Sequence, residues 1–230
     1  LREVGEFAFD TLFVTEDTFT PVLCLVQVAT ADRLAIVDPF VVQELREFWS
    51  LVAEPTTRVI AHAADAEIRF CRHYLGQSPA PLFDVQIAAG LLGYGYPTSY
   101  TNLVRRVLGQ NVRGSETRTE WRRRPLTEKQ MHYALEDVRH LLALGGKLTQ
   151  ELNQARRLSW ADEEFRQQVA PRESSNGESW RRVSGVTSLN RRQLAVLREL
   201  VVWREQEARQ RDRPVRSVAS DDVLIELSKR

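Results

Sequence analysis

Tyr133-Ala134-Leu135-Glu136-Asp137 lies in a strongly helical run, and Phe7-Ala8-Phe9-Asp10-Thr11-Leu12 is a hydrophobic strand carrying a single acid. Together these two stretches decide how the rest of the chain is read. Residues four apart share a helical face, so Tyr133 and Asp137 present a phenol and a carboxylate side by side. An acid on a buried strand is costly to keep charged unless something positive meets it, which makes Asp10 a candidate for an ion site. Taken singly, each has an ordinary structural explanation. Asp10 could be a strand-end cap, and the Tyr133 pair a half-buried ring beside an exposed acid. A third stretch, His62-Ala63-Ala64-Asp65-Ala66-Glu67, lies between them in sequence.

Around Asp10 the pattern is one of strands. Phe7 to Val14, Leu23 to Ala29 and Leu34 to Val37 are short, rich in Val, Ile, Leu and Phe, and punctuated by Thr-Pro and Ala-Asp turns. Such close spacing predicts hairpins and antiparallel pairing. A helix over Val41 to Val52, a strand over Arg58 to Ala61 and a helix over Asp65 to Leu75 then form a crossover unit, which gives a mixed sheet. Pro79 and Pro81 interrupt the chain before Phe83-Asp84-Val85-Gln86 opens another helix.

From Ser99 onward the pattern is helical. Thr127-Glu128-Lys129-Gln130 has the form of a capping box and begins the helix that carries Tyr133 and Asp137. Pro125 suits an extended entry to it. The helical pattern runs to about Ala155, and another helix covers Trp160 to Gln168. Ala170 to Ser179 is polar and rich in turn formers, hence a linker. Beyond it, Arg191 to Gln210 is amphipathic, with Leu194, Leu197, Val201 and Val202 on one face. Arg213-Pro214 ends that helix, and Ser220-Asp221-Asp222 caps a last one. The expected organisation is a domain over 1–168, a linker over 169–179 and a helical segment over 180–230.

The 230 residues are 43% hydrophobic, ample for a core, and carry a net charge of +1. Distribution says more than the total. Arg105, Arg106, Arg113, Arg118, Arg122, Arg123 and Arg124 fall close together, a candidate phosphate-facing patch or else a solvated basic face. Cys24 and Cys71 lie in apolar patterns without metal or disulfide spacing, and read as buried thiols in a reducing compartment. No apolar run is as long as a membrane span. The chain reads as a fragment of a longer cytoplasmic protein.

The three acidic stretches, in this order, resemble the exonuclease motifs of the ribonuclease D family, one of the DEDD 3′–5′ exonucleases. Ser115-Glu116-Thr117-Arg118-Thr119-Glu120-Trp121, then Arg124-Pro125-Leu126-Thr127, is similar to the family segment entering the third motif, and Leu82 to Ala88 to another family stretch. Leu197 to Arg204 with Arg213-Pro214 resembles the start of an HRDC domain, a small helical nucleic-acid-binding module, which stops before its usual end. The resemblance implies a ribonuclease H-like α/β fold with a mixed sheet, followed by a partial, all-α HRDC-like segment. It implies two Mg²⁺ or Mn²⁺ ions held by Asp10, Glu67 and Asp137, with Tyr133 orienting the attacking water. It further implies hydrolysis at single-stranded RNA 3′ ends, tRNA precursors among them. His62 opens the second motif and is read with Arg118, Arg122, Arg123 and Arg124 as nucleic-acid-binding.

Two positions depart from the family. It has Glu where this chain has Leu12, and Asp where it has Glu67. Two-metal phosphodiester hydrolysis needs charged oxygens around ions roughly 3.5–4 Å apart. Leucine ligates nothing, whereas Glu67 keeps the chemistry on a side chain one methylene longer. Glu16 is too far along the strand to replace Leu12, and Asp65 points elsewhere on its helix. The expectation is a ribonuclease D-type enzyme with weakened activity, against the alternative of a catalytically degenerate pseudo-exonuclease that binds nucleic acid.

Overall fold

The computed structural model describes residues 5–42, 44–112, 119–171 and 179–230. Five strands form one mixed sheet in the order β3-β2-β1-β4-β5, with β1 at Glu6–Val14, β2 at Val22–Ala29, β3 at Leu34–Val37, β4 at Arg58–Ala61 and β5 at Phe83–Asp84. β1 runs parallel to β4 with Ala8 opposite Ile60, and β4 parallel to β5 with Ile60 opposite Phe83. β2 and β3 are antiparallel, with Gln27 opposite Ile36. The expected mixed sheet is therefore present.

The pleat of β1 sends alternate residues to opposite faces. Phe7 and Phe9 face helix α1 (Arg46–Val52), where Phe9 meets Phe48 and Trp49 edge-on at 5.5 and 6.0 Å between centroids. Trp49 in turn stacks on Tyr74 of α2 (Asp65–Leu75) at 5.6 Å. Ala8 faces the other way, into a cluster with Ile60, Val138, Leu141, Leu144 and Leu148. Those last residues belong to α5 (Glu128–Arg139) and α6 (Leu141–Gln154). Asp10, two residues past Ala8, opens on the same side. Gly145 lets α6 approach the sheet, since a Cβ there would fall 2.5 Å from Cδ1 of the fully buried Ile60.

Several boundaries differ from the expected ones, each for a local reason. The helix expected from Val41 begins at Arg46, because Asp38 folds 38–42 into a turn. Its carboxylate accepts the Phe40 N–H at 3.0 Å, and its carbonyl accepts those of Val41 and Val42. Phe83 and Asp84 form a strand before α3 (Val85–Leu91), where a continuous helix opening was expected. Two residues are too few for periodicity to reveal. After α4 (Tyr100–Leu103) the backbone widens into a π-helical turn over Val104–Leu108, closed by Gly109 at φ +66°. The capping box at Thr127 is formed as expected, and α7 spans Leu158–Val169.

The chain divides into two compact units, Leu1–Leu12 with Leu23–Pro171, and Phe13–Val22 with Arg172–Arg230. Most of the expected linker, residues 172–178, lies outside the described residues. In the second unit α8 (Arg191–Gln210) begins at an Asn190–Gln193 capping box, followed by α9 (Val215–Val218) and α10 (Asp221–Lys229). Leu197 and Val201 pack with Val183, Leu224 and Ile225. The inward face also holds Arg204, which the apolar pattern does not flag. Its Nη1 donates to Asp221 Oδ1 at 2.8 Å and to the Ala219 carbonyl at 3.1 Å. Within this unit Asp212 accepts the N–H groups of Phe19 and Thr20 at 3.1 and 3.0 Å, and Arg209 lies over the Phe19 ring.

Candidate active site

Asp10 on β1 lies within electrostatic reach of both Glu67, in the first turn of α2, and Asp137 on α5. The Asp10 carboxyl is pushed up by burial and then by the charge of Asp137, while the Thr11 N–H pulls it down. Glu67, only 3% exposed, is pushed up by burial and then by Asp10. Asp137 is raised by burial to about 7, although a hydrogen bond from the Tyr133 phenol opposes the rise. Three buried acids gathered around Asp10 are costly to ionise together, a cost that a cation would relieve.

Donor geometry limits what that cation can be. Thr11 Oγ1 donates to Glu67 Oε1 at 2.6 Å, so one oxygen of Glu67 is already engaged away from the pair. Among the described residues no three His, Cys, Asp or Glu side chains have the spacing of a metal cage. Mg²⁺ is commonly held by one or two carboxylates with waters and substrate phosphate completing the shell, which suits Asp10 and Asp137. The residues therefore fit one divalent ion and not the full pair, because Leu12 follows Asp10 on the same face of β1 without an oxygen.

Tyr133 stands one helical turn before Asp137, its ring 5.9 Å from that of Trp121. Burial and the charges of Asp137 and Asp10 raise its phenol to about 12, so at neutral pH it keeps its proton and donates it to Asp137. His62 uses Nε2 on the Thr98 carbonyl at 2.9 Å, and Gln86 donates to the same oxygen at 2.9 Å. That assigns the neutral Nε2–H tautomer to His62, consistent with a pKa lowered by burial. Its role in this structure is to fix the loop that carries Thr98.

The arginines separate. Arg124, expected in a phosphate-facing patch, turns inward: it donates to Asp38 at 2.5 and 2.9 Å, to the carbonyls of Cys24 and Trp121, and lies over Phe40. Its guanidinium latches the segment before α5 to β2 and the turn after β3, which removes it from the candidate nucleic-acid contacts. Arg122 is forked onto Glu120 at 2.9 and 3.0 Å, and Arg123 is exposed. Arg118 and Arg113 lie outside the described residues.

Three residues that shape the site were not among the site residues read from the sequence. Asp84 is 1% exposed and accepts four hydrogen bonds, from the N–H groups of Ala63, Ala64 and Gln86 and from Gln168 Nε2, at 2.8–3.0 Å. It caps α3 and holds Ala63 at φ +54° in the turn that delivers Glu67. Tyr100 donates its phenol to the Glu136 carbonyl at 2.9 Å and accepts the His140 N–H at 3.1 Å, bridging the break between α5 and α6. Thr11 holds Glu67. An Asp two residues ahead of Gln86 is a capping signal, but its three distant partners are set by the tertiary fold.

Comparison with known proteins agrees with this fold. The model of the 3′–5′ exonuclease family matches residues 1–153, and that of the HRDC domain matches residues 193–230. Ribonuclease D of Pseudomonas paraeruginosa is 39% identical over 228 residues, 96% of this chain and 59% of that protein. The crystal structure of Escherichia coli RNase D, an exoribonuclease involved in structured RNA processing, superposes with a TM-score of 0.88 at 31% identity, covering 99% of this chain and 61% of that one. Brucella melitensis NrnC with bound Mg²⁺ shares the fold at 22% identity and a TM-score of 0.61, over 73% of this chain and 83% of that one. The chain spans less than two thirds of the length of the ribonuclease D proteins it matches, 57–59% for three of them. It belongs to the 3′–5′ exonuclease family, of ribonuclease D type, with an HRDC domain after the exonuclease domain.

Proposed function

We propose that this chain is the exonuclease portion of a ribonuclease D-type 3′–5′ exoribonuclease whose hydrolysis is slowed by Leu12. The observation that supports it most is the meeting of Asp10 and Asp137 with a protonated Tyr133 beside them. A divalent ion, Mg²⁺ or Mn²⁺, held by Asp10 and Asp137 would supply positive charge at the scissile phosphate and acidify a water.

The chain's own groups do the rest. The Tyr133 phenol, fixed by its hydrogen bond to Asp137 and by the neighbouring Trp121 ring, presents an oxygen lone pair that can accept from the attacking water and so orient it. Asp10 and Asp137 hold the negative charge that draws the ion. Glu67, hydrogen-bonded to Thr11, supports the site from behind, one oxygen already used. His62 and Gln86 hold the loop at Thr98, which places Tyr100 within electrostatic range of Asp10 and Asp137. Leu12 leaves the second ion one charged ligand short, so the chemical step loses much of its stabilisation while substrate binding, carried by other groups, survives. Single-stranded RNA 3′ ends, tRNA precursors among them, are the proposed substrates. Among the described residues no helix is long and apolar enough to cross a membrane.

The test is a 5′-labelled single-stranded RNA incubated with Mn²⁺, with and without chelator. The expected result is a slow ladder of products shortened one nucleotide at a time from the 3′ end, abolished by chelator and by Asp137→Asn. Mn²⁺-independent cleavage, or fragments cut internally, would refute the reading.

A further inference from the structure

Outside the carboxylate site, the first unit carries a cluster of aromatic rings and guanidinium groups that the chemistry above does not use. It gathers at the C-terminal end of α3. Tyr96 is 67% exposed and lies over Gly90, where a Cβ would stand 3.1 Å from that of Tyr96. Next in sequence, the Leu91 carbonyl accepts a hydrogen bond from Arg157 Nη1 at 2.6 Å, and the Arg157 guanidinium lies 5.7 Å from the centre of the Trp160 ring. Trp160 is itself 58% exposed. Arg106 donates to the Tyr94 carbonyl and lies 5.4 Å from the centre of that ring. Satisfying two carbonyls at a helix end needs two N–H groups. It does not need two large aromatic rings left open to water.

The same loop leads to the catalytic carboxylates. Two residues past Tyr96, the Thr98 carbonyl is gripped by His62 and Gln86, and two further on Tyr100 lies edge-on to the His62 ring at 6.1 Å. Residues 94–100 thus run from the carboxylates to the exposed rings as one fixed ribbon. Of the nearby acids, Glu151 accepts the Tyr94 phenol at 2.9 Å and Glu163 pairs with Arg166 at 3.3 Å, while Asp162 and Glu164 lie exposed on the helix of Trp160. Arg105, Arg106 and Arg156 add exposed positive charge. Open rings interleaved with guanidinium groups suit unstacked bases strung on phosphates.

We propose that Tyr96, Trp160, Arg106 and Arg157 form a stacking track for the single-stranded RNA that trails behind the 3′-terminal nucleotide. This rests on the exonuclease reading and deepens it, because it assigns the path of the strand and predicts a length dependence. RNA long enough to leave the carboxylate site is held by the track, and RNA that only fills the site is not.

The experiment measures fluorescence anisotropy with chelator present, so that nothing is cut, using labelled single-stranded RNAs of about four and about twelve nucleotides. The variants are Tyr96→Ala, Trp160→Ala and the double substitution, all at exposed positions, with folding checked by thermal denaturation. The double variant is expected to bind the long RNA about tenfold or more weakly than the parent while binding the short RNA equally well. Arg106→Gln should lower the salt dependence of long-RNA binding. Equal affinity of parent and double variant for the long RNA overturns the track, as does equal loss for both lengths. If the parent binds neither RNA, the track and the RNA substrate fall together. If the length-dependent loss appears but Mn²⁺ gives no 3′ shortening, the track stands and the exonuclease reading fails.

Discussion

Asp10, Glu67 and Asp137 all have carboxyls displaced upward by burial, and this has a consequence for stability that is separate from catalysis. In the unfolded chain they lose their protons near pH 4, whereas Asp137 in the fold holds its proton up to about 7. Between those values the folded state binds more protons than the unfolded, so stability falls as pH rises. Asp38 and Asp221 are displaced downward and act only at lower pH. His62 and His140, also lowered by burial, work in the opposite sense below about 6.5. The window from about pH 6.5 to 8 therefore isolates the acids. With chelator present, the melting temperature should drop by at least about 5 °C across it. Mn²⁺ at pH 8 should restore the loss, and Asp137→Asn should make the profile shallower. A flat profile for the parent chain would mean that the three acids do not share buried charge. Calorimetry should find one weak Mg²⁺ site, since ion affinity follows ligand charge; two tight sites would contradict the assignment of Leu12.

The site is delivered by turns and helix ends as much as by the elements that bear its carboxylates. Asp84 ties the start of α2 to the start of α3 and to Gln168 on α7. Asp84→Ala leaves three backbone donors without that acceptor, at a cost of about 3 kcal/mol or more. Urea denaturation measures that loss, and a change below about 1 kcal/mol would show that water replaces the carboxylate. α1, β5 and the π-helical turn were hidden for related reasons. Their ends are fixed by Asp38, by two-residue pairing and by Tyr100 bridging to α5, none of which has a periodic signature. α2, α5 and α8 were legible because long amphipathic patterns and capping boxes are local properties. The acids at Asp10, Glu67 and Asp137 and the Tyr133 phenol were legible through their ordered motifs. The inward turn of Arg124 was not, since a run of arginines says nothing about which one finds Asp38.

The molecule pairs a family fold with a proposed metal site in which Leu12 offers no oxygen, and these two features pull its function in different directions. Everything that places Asp10, Asp137 and Tyr133 is intact: the parallel β1–β4 pair, the capped α5 and the close approach of α6 at Gly145. What is missing is one oxygen, at a position exposed enough to accept a longer polar side chain, since Leu12 is only partly buried. The most direct measurement is single-turnover degradation of a 5′-labelled single-stranded RNA in Mn²⁺ by the parent chain and by Leu12→Glu, with Asp137→Asn as the blank. Restoring a charged ligand for the second ion should raise the rate by about 100-fold or more, with the same 3′-to-5′ ladder and with RNA affinity unchanged. An unchanged rate in Leu12→Glu, with both proteins folded and binding RNA, would contradict the claim that this single leucine limits the exonuclease.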